Sequence, residues 1–122
     1  MKKNYLFLIS AFTLVFVSGS LLLNAQTSKP NPIPDDLKVI FKNSCMACHS
    51  DNGGGMAKAK LNFSKWDTYS QEKQAKKASS IGTVVLKGTM PPKSFIKSHP
   101  EVVLSDEQKA AVIKWSESFK ND

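Results

Sequence analysis

From Asp35 onward, short amphipathic stretches alternate with punctuated loops. Leu37, Ile40 and Phe41 recur at i, i+3 and i+4, which predicts a helix over Asp35–Cys45 with one apolar stripe. Pro34 or Asp35 starts it, and the two acids of its first turn suit the positive end of a helix. Between Ser70 and Lys87, Ala75, Ala78, Ile81 and Val85 keep helical spacing, and Lys87 and Gly88 mark the stop. Gly82 weakens that pattern without breaking it. The C-terminal stretch is the cleanest: Ser105 and Gln108 stand at capping-box spacing, Asp106 and Glu107 follow the cap, and Val112, Trp115 and Phe119 form the stripe. Ser50–Lys60, glycine-rich and dotted with lysine, has no period and is expected to be an irregular loop. No run alternates as a strand does, so the fold class is all-α. Phe41 against Trp115 is the core pair that the pattern predicts.

Upstream, the pattern changes in kind. Met1-Lys2-Lys3-Asn4 is a basic start, residues 5–17 are an apolar run, and Ser18-Gly19-Ser20 breaks it before Ala25. This is the layout of a signal peptide cut after Ala25, which implies export to the periplasm. An uncleaved anchor is the rival reading; Leu6–Leu23 is long enough, but Ser10, Thr13, Ser18, Gly19 and Ser20 interrupt it. Residues 26–34 carry proline at every second position from Pro30 and read as an extended tether. The division is therefore 1–25 signal peptide, 26–34 linker and 35–122 folded domain.

Cleavage leaves 97 of the 122 residues, enough for one small domain and too few for a multidomain enzyme or a polytopic membrane protein. A core of that size is commonly completed by a metal, disulfide or cofactor. All seventeen basic residues are lysine against ten acids, a balance of +7 that becomes +5 without Lys2 and Lys3. Export and the absence of arginine forks argue against nucleic acid.

The only two cysteines stand in Cys45-Met46-Ala47-Cys48-His49. Two thiols three positions apart on one helical turn can each add to one vinyl group of a haem, and the adjacent imidazole then reaches the iron. A redox dithiol calls for a thioredoxin-type βαβ pattern, which is absent. A zinc site needs a fourth ligand, and His99 is the only other histidine. A structural disulfide leaves His49 unexplained. One covalently attached haem c, bound by Cys45, Cys48 and His49, is the reading that uses all three residues.

With His49 as one axial ligand, the second is a methionine or an open position. Met90 lies between Gly88 and Pro91-Pro92, a turn followed by a stiff segment that can hold a thioether at little entropic cost. Met56, beside Gly53-Gly54-Gly55, is the second candidate. Core filling is the ordinary role of a methionine. Trp66 has two open roles, donating its indole N–H to a haem propionate or packing in the core.

Leu61-Asn62-Phe63-Ser64-Lys65-Trp66, Gly88-Thr89-Met90-Pro91-Pro92 and His99-Pro100-Glu101, together with the attachment motif, resemble the haem-binding domain of exported Bacteroidetes proteins, a group of small monohaem cytochromes c. The similarity runs from about Leu37 to Phe119. It implies His–Met ligation, carried here onto His49 and Met90. The chain departs from the family between its attachment motif and the LNFS block, where the short Ser50–Lys60 segment replaces a longer, aromatic-rich stretch.

The expected function is electron transfer with redox partners that have acidic docking surfaces, and membrane contact only if the leader is retained. The alternative is a haem-based sensor or small-ligand module with a labile sixth ligand. A peroxidase needs a distal acid–base group, for which His99 is the only unassigned histidine.

Overall fold

The computed structural model describes residues 30–120. The segment expected to be a signal peptide and the first part of the expected linker lie outside the described residues. Helices α1 (Asp35–Ser44), α2 (Gly55–Lys60), α3 (Gln71–Leu86), α4 (Lys93–Ser98) and α5 (Asp106–Ser118) are joined by 3-10 helices at Phe63–Thr68 and Pro100–Val102. No strand occurs among the described residues, and the fold is all-α.

Each long helix starts where its first turn can be satisfied. α1 follows Pro34, which supplies a fixed φ and carries no N–H, and Asp35 and Asp36 occupy its first turn. Ser70 caps α3 by accepting from the Lys73 amide at 3.3 Å. α5 has the full capping box: Gln108 N–H donates to Ser105 Oγ at 3.2 Å and Ser105 N–H to Gln108 Oε1 at 2.9 Å. The buried stripe of α1 is Leu37, Ile40 and Phe41, as its spacing predicts.

α3 and α5 make the most extensive helix contact. Gly82 lies within it, buried, where a Cβ would overlap the Ser116 side chain. The glycine that weakens the helical pattern is thus what lets the two helices approach. Against this pair the 3-10 helix and α1 assemble an aromatic core. Phe41 meets Trp115 with ring centroids 5.3 Å apart and Phe63 at 4.6 Å, and Trp66 contacts Trp115 at 5.4 Å.

The end of the proline-rich segment belongs to this core. Residues 30–34 form no regular secondary structure, yet Ile33 is buried and Asn31 is clamped. Gln74 accepts from Asn31 N–H at 2.8 Å and donates to the Asn31 carbonyl at 3.2 Å and the Trp66 carbonyl at 3.1 Å. Trp66 Nε1 donates to the same Asn31 carbonyl at 2.9 Å. The indole N–H is therefore satisfied inside the protein, and Trp66, only 2% exposed, is a core residue. The propionate role is not the one the structure supports.

Trp66→Phe should lower stability by about 2 kcal/mol, through one lost hydrogen bond and a smaller ring in a packed site. Chemical denaturation measures this, and an unchanged midpoint would contradict the clamp.

Candidate functional site

α1 ends at Ser44, and the five residues from Cys45 to His49 coil into one tight turn. Cys45 N–H and Met46 N–H both donate to the Phe41 carbonyl at 2.9 Å, and Cys48 N–H and His49 N–H donate to the Cys45 carbonyl at 3.2 and 3.0 Å. This turn brings both thiols and the imidazole to one cleft. Cys45 and Cys48 are free and half-buried. Burial, with a smaller effect from Cys48, pushes the Cys45 thiol up to about 12, so its sulfur keeps its proton at neutral pH.

His49 is held from behind. Its Nδ1 lies 3.0 Å from the Ala57 carbonyl and 3.2 Å from the Leu61 carbonyl. Both partners can only accept, so Nδ1 carries the proton and Nε2 keeps a free lone pair. The two carbonyls come from α2 and its C-terminal cap, and this corrects the expected irregular loop over Ser50–Lys60. A short helix forms there, and it presents acceptors to the histidine.

The LNFS segment completes the support. Phe63 N–H donates to the His49 carbonyl at 2.9 Å. Asn62 Nδ2 donates to Asp51 Oδ1 at 2.7 Å, while Asp51 N–H donates to Ser64 Oγ at 3.2 Å. Asn62 also caps the 3-10 helix by accepting from Ser64 N–H at 3.0 Å. Gly53 lets the loop fold back, because a Cβ there would overlap the Cys48 carbonyl. These contacts orient the ring through its neighbours, as the outer-shell partners of a ligating histidine do.

On the far side, α3 stops at Gly88, whose φ of +65° is a left-handed conformation natural to glycine. Thr89 anchors the turn, its N–H donating to the Val84 carbonyl at 3.0 Å and its hydroxyl to the same oxygen at 3.3 Å. Pro92 then caps α4. Met90 is suspended between these anchors and is 40% exposed.

Two neighbouring hollows meet here. One, of about 260 Å³, is lined by Cys45, Cys48, His49, Met56, Met90 and Phe95 among others. The second, of about 390 Å³, is lined by His49, Leu61, Ile81, Val84 and Met90, with Lys60, Lys77 and Ser80. His49 and Met90 line both, whereas Met56, 75% exposed, lines only the first. None of Phe41, Phe63, Trp66 or Trp115 reaches either hollow. His99 is exposed, stacks on Phe95 at 4.2 Å and lines neither hollow.

All four residues expected from the sequence thus line one cleft. The residues that sequence reasoning missed are the positioners Ala57, Leu61, Asn62 and Asp51. Two free thiols, an imidazole nitrogen and a thioether on an apolar cleft form a donor set that fits a haem. Among the described residues no group of three or more His, Cys, Asp or Glu side chains is arranged to hold a metal ion.

Residues 55–118, from α2 to the end of α5, match the haem-binding domain family. The matched stretch includes Met90 and starts beyond His49. Neither the curated proteins nor the solved structures contain a match to the chain.

Proposed function

The chain belongs to the haem-binding domain family, and from that premise we propose that it is an exported monohaem c-type cytochrome, an electron carrier with His49 and Met90 as axial ligands. The observation that carries this reading is that His49 and Met90 line both hollows of a cleft that also receives the Cys45 and Cys48 thiols.

When bound, the haem supplies a one-electron Fe(III)/Fe(II) couple. The protein's part is to hold it. Cys45 and Cys48 would retain it by adding their thiols across its two vinyl groups, so no deep enclosing pocket would be needed. Ala57 and Leu61 fix the His49 tautomer and ring angle, and the anchored Gly88–Pro92 segment fixes the opposite thioether. With His49 and Met90 both committed to the group, the protein would offer no open position to a substrate oxygen and would itself make and break no bonds during transfer. Rigid ligands on both sides keep reorganisation small.

Lysine distribution supports docking to an acidic redox partner. α2 (GMAKAK) and α4 (KSFIKS) border the cleft and contain no acid between them. Such a field speeds encounter and is screened by salt, while hydrated ammonium groups release readily. The signal-peptide pattern at the N-terminus supports a periplasmic location.

A ligand-binding haem module is the rival, favoured by the exposure of both candidate thioethers, Met90 and Met56. The absorption spectrum of the matured haem-loaded protein separates the two. A carrier is expected to give a six-coordinate low-spin ferric spectrum with a red charge-transfer band, and its ferrous form should not bind carbon monoxide. A five-coordinate high-spin spectrum, or carbon monoxide binding by the unaltered protein, overturns the carrier reading.

A further inference from the structure

A haem carries two propionate carboxylates, and the structure withdraws the partner that the sequence offered them. Trp66 spends its N–H on Asn31, inside the core. The vinyl groups and the propionates occupy opposite edges of the macrocycle. Cys45 and Cys48 line only the smaller hollow, so a haem whose vinyl edge is fixed there points its propionate edge the other way, past His49 and Met90. That direction is the larger hollow, whose walls change character. Leu61, Ile81 and Val84 make it apolar, Lys77 and Ser80 make it basic and polar, and Lys60 lines both hollows where they meet.

The ion pairs among the described residues join Lys38 to Asp35, Lys76 to Glu72 and Lys109 to Asp106, all on helix surfaces. Among the described residues no carboxylate lies within ion-pair distance of Lys60 or Lys77. Lys77 is half-buried, and its ammonium is brought to the rim by donating to the Lys60 carbonyl at the end of α2. One bond of this kind leaves two of its three protons free.

We propose that Lys60 and Lys77, with the Ser80 hydroxyl, bind the haem propionates and so set both the tilt of the haem and part of its reduction potential. This rests on the cytochrome reading above and adds to it a second anchoring edge opposite the thioethers. The two contacts differ in kind. Lys77 is a held donor, already ordered by α2, whereas Lys60 is an exposed side chain that closes over the edge. An ammonium at each propionate cancels a negative charge near the iron. Without it that charge favours Fe(III), so the potential falls.

The test uses the full haem-loaded protein and its Lys60→Gln, Lys77→Gln and Lys109→Gln variants, with covalent haem content measured alongside the midpoint potential. Lys109 lies on α5 and lines neither hollow, so its variant controls for loss of a general surface charge. Lys60→Gln and Lys77→Gln should each shift the ferric-to-ferrous balance on the order of threefold toward ferric, which is about 28 mV for a one-electron couple. Lys109→Gln should leave it almost unmoved, and Lys77→Arg should restore it. A purely structural role for Lys77 as a cap on α2 would change stability without this pattern. In a crystal structure of the loaded protein, a propionate oxygen should lie within about 4 Å of the Lys60 or Lys77 ammonium. Potentials of Lys60→Gln and Lys77→Gln that match Lys109→Gln, with haem content and spectrum intact, overturn the assignment. Propionates directed away from both lysines do the same. An unaltered protein that carries no covalent haem overturns the cytochrome reading itself, a result the haem measurement tells apart from failure of the lysine assignment.

Discussion

Cys45→Ser/Cys48→Ser protein, matured under the same conditions as the unaltered chain, is expected to hold no haem that survives denaturation. A thiol adds to a vinyl group because sulfur is a soft, strong nucleophile, whereas a serine hydroxyl is neither at neutral pH. The turn that carries both residues is closed by backbone bonds to the Phe41 and Cys45 carbonyls, which the substitution leaves in place. Serine is close to cysteine in size, so the surrounding packing is kept. The expected loss is therefore of attachment and not of fold, and helical circular dichroism should remain. Cys48→Ser alone should remove one of the two bonds and leave an unsaturated vinyl, visible as a red-shifted ferrous band. Haem staining after gel electrophoresis is the measurement. An undiminished yield of covalent haem in the double variant would refute the site.

The second large effect is expected from Met90→Leu. Leucine keeps nearly the same apolar volume, so the Gly88–Pro92 turn should hold its shape, yet it has no atom that can ligate iron. The ferric charge-transfer band should vanish, the potential should fall, and the ferrous protein should pass from no carbon monoxide binding to about one equivalent. Met56→Leu should change none of these. The difference follows from where the two thioethers are held. Met90 faces both hollows that His49 faces, on a segment pinned at Thr89 and stiffened by Pro91 and Pro92. Met56 stands on the first turn of a six-residue helix, three-quarters exposed, and faces only one hollow. If Met56→Leu removes the band and Met90→Leu does not, the axial assignment passes to Met56.

The helices were legible because their signals are local. The stripe of α1, the Ser105–Gln108 capping box and the Gly88 stop each depend on residues within a few positions of one another and occur where the pattern places them. So do Val112 and Trp115 of α5, whereas Phe119 caps that helix and is half-buried. α2 was not legible. Its six residues, GMAKAK, bury nothing and therefore show no stripe. It is retained by what its end does for others, since the carbonyls of Ala57 and Leu61 receive the His49 proton. Gln74 was overlooked for a related reason. A polar residue on the inner face of α3 looks like a break in the pattern, but it is fully buried because Asn31 and Trp66 satisfy it.

By itself, then, the sequence determined the chemistry available and the helical class. C-x-x-C-H and Gly-x-Met-Pro-Pro are compact motifs, and helical periodicity is written in neighbours. The tertiary structure decided which atoms face each other. Trp66 gives its N–H to a carbonyl thirty-five positions away, and Gln74 reaches across forty-three to the same residue. His49 acquires a defined tautomer from carbonyls eight and twelve positions on, and Met90 comes to the thiols' cleft by way of α3. A hydrogen bond or a shared cleft depends on distance in space. Only the packed chain determines that distance, because residues so far apart in sequence leave no periodic trace of their contact.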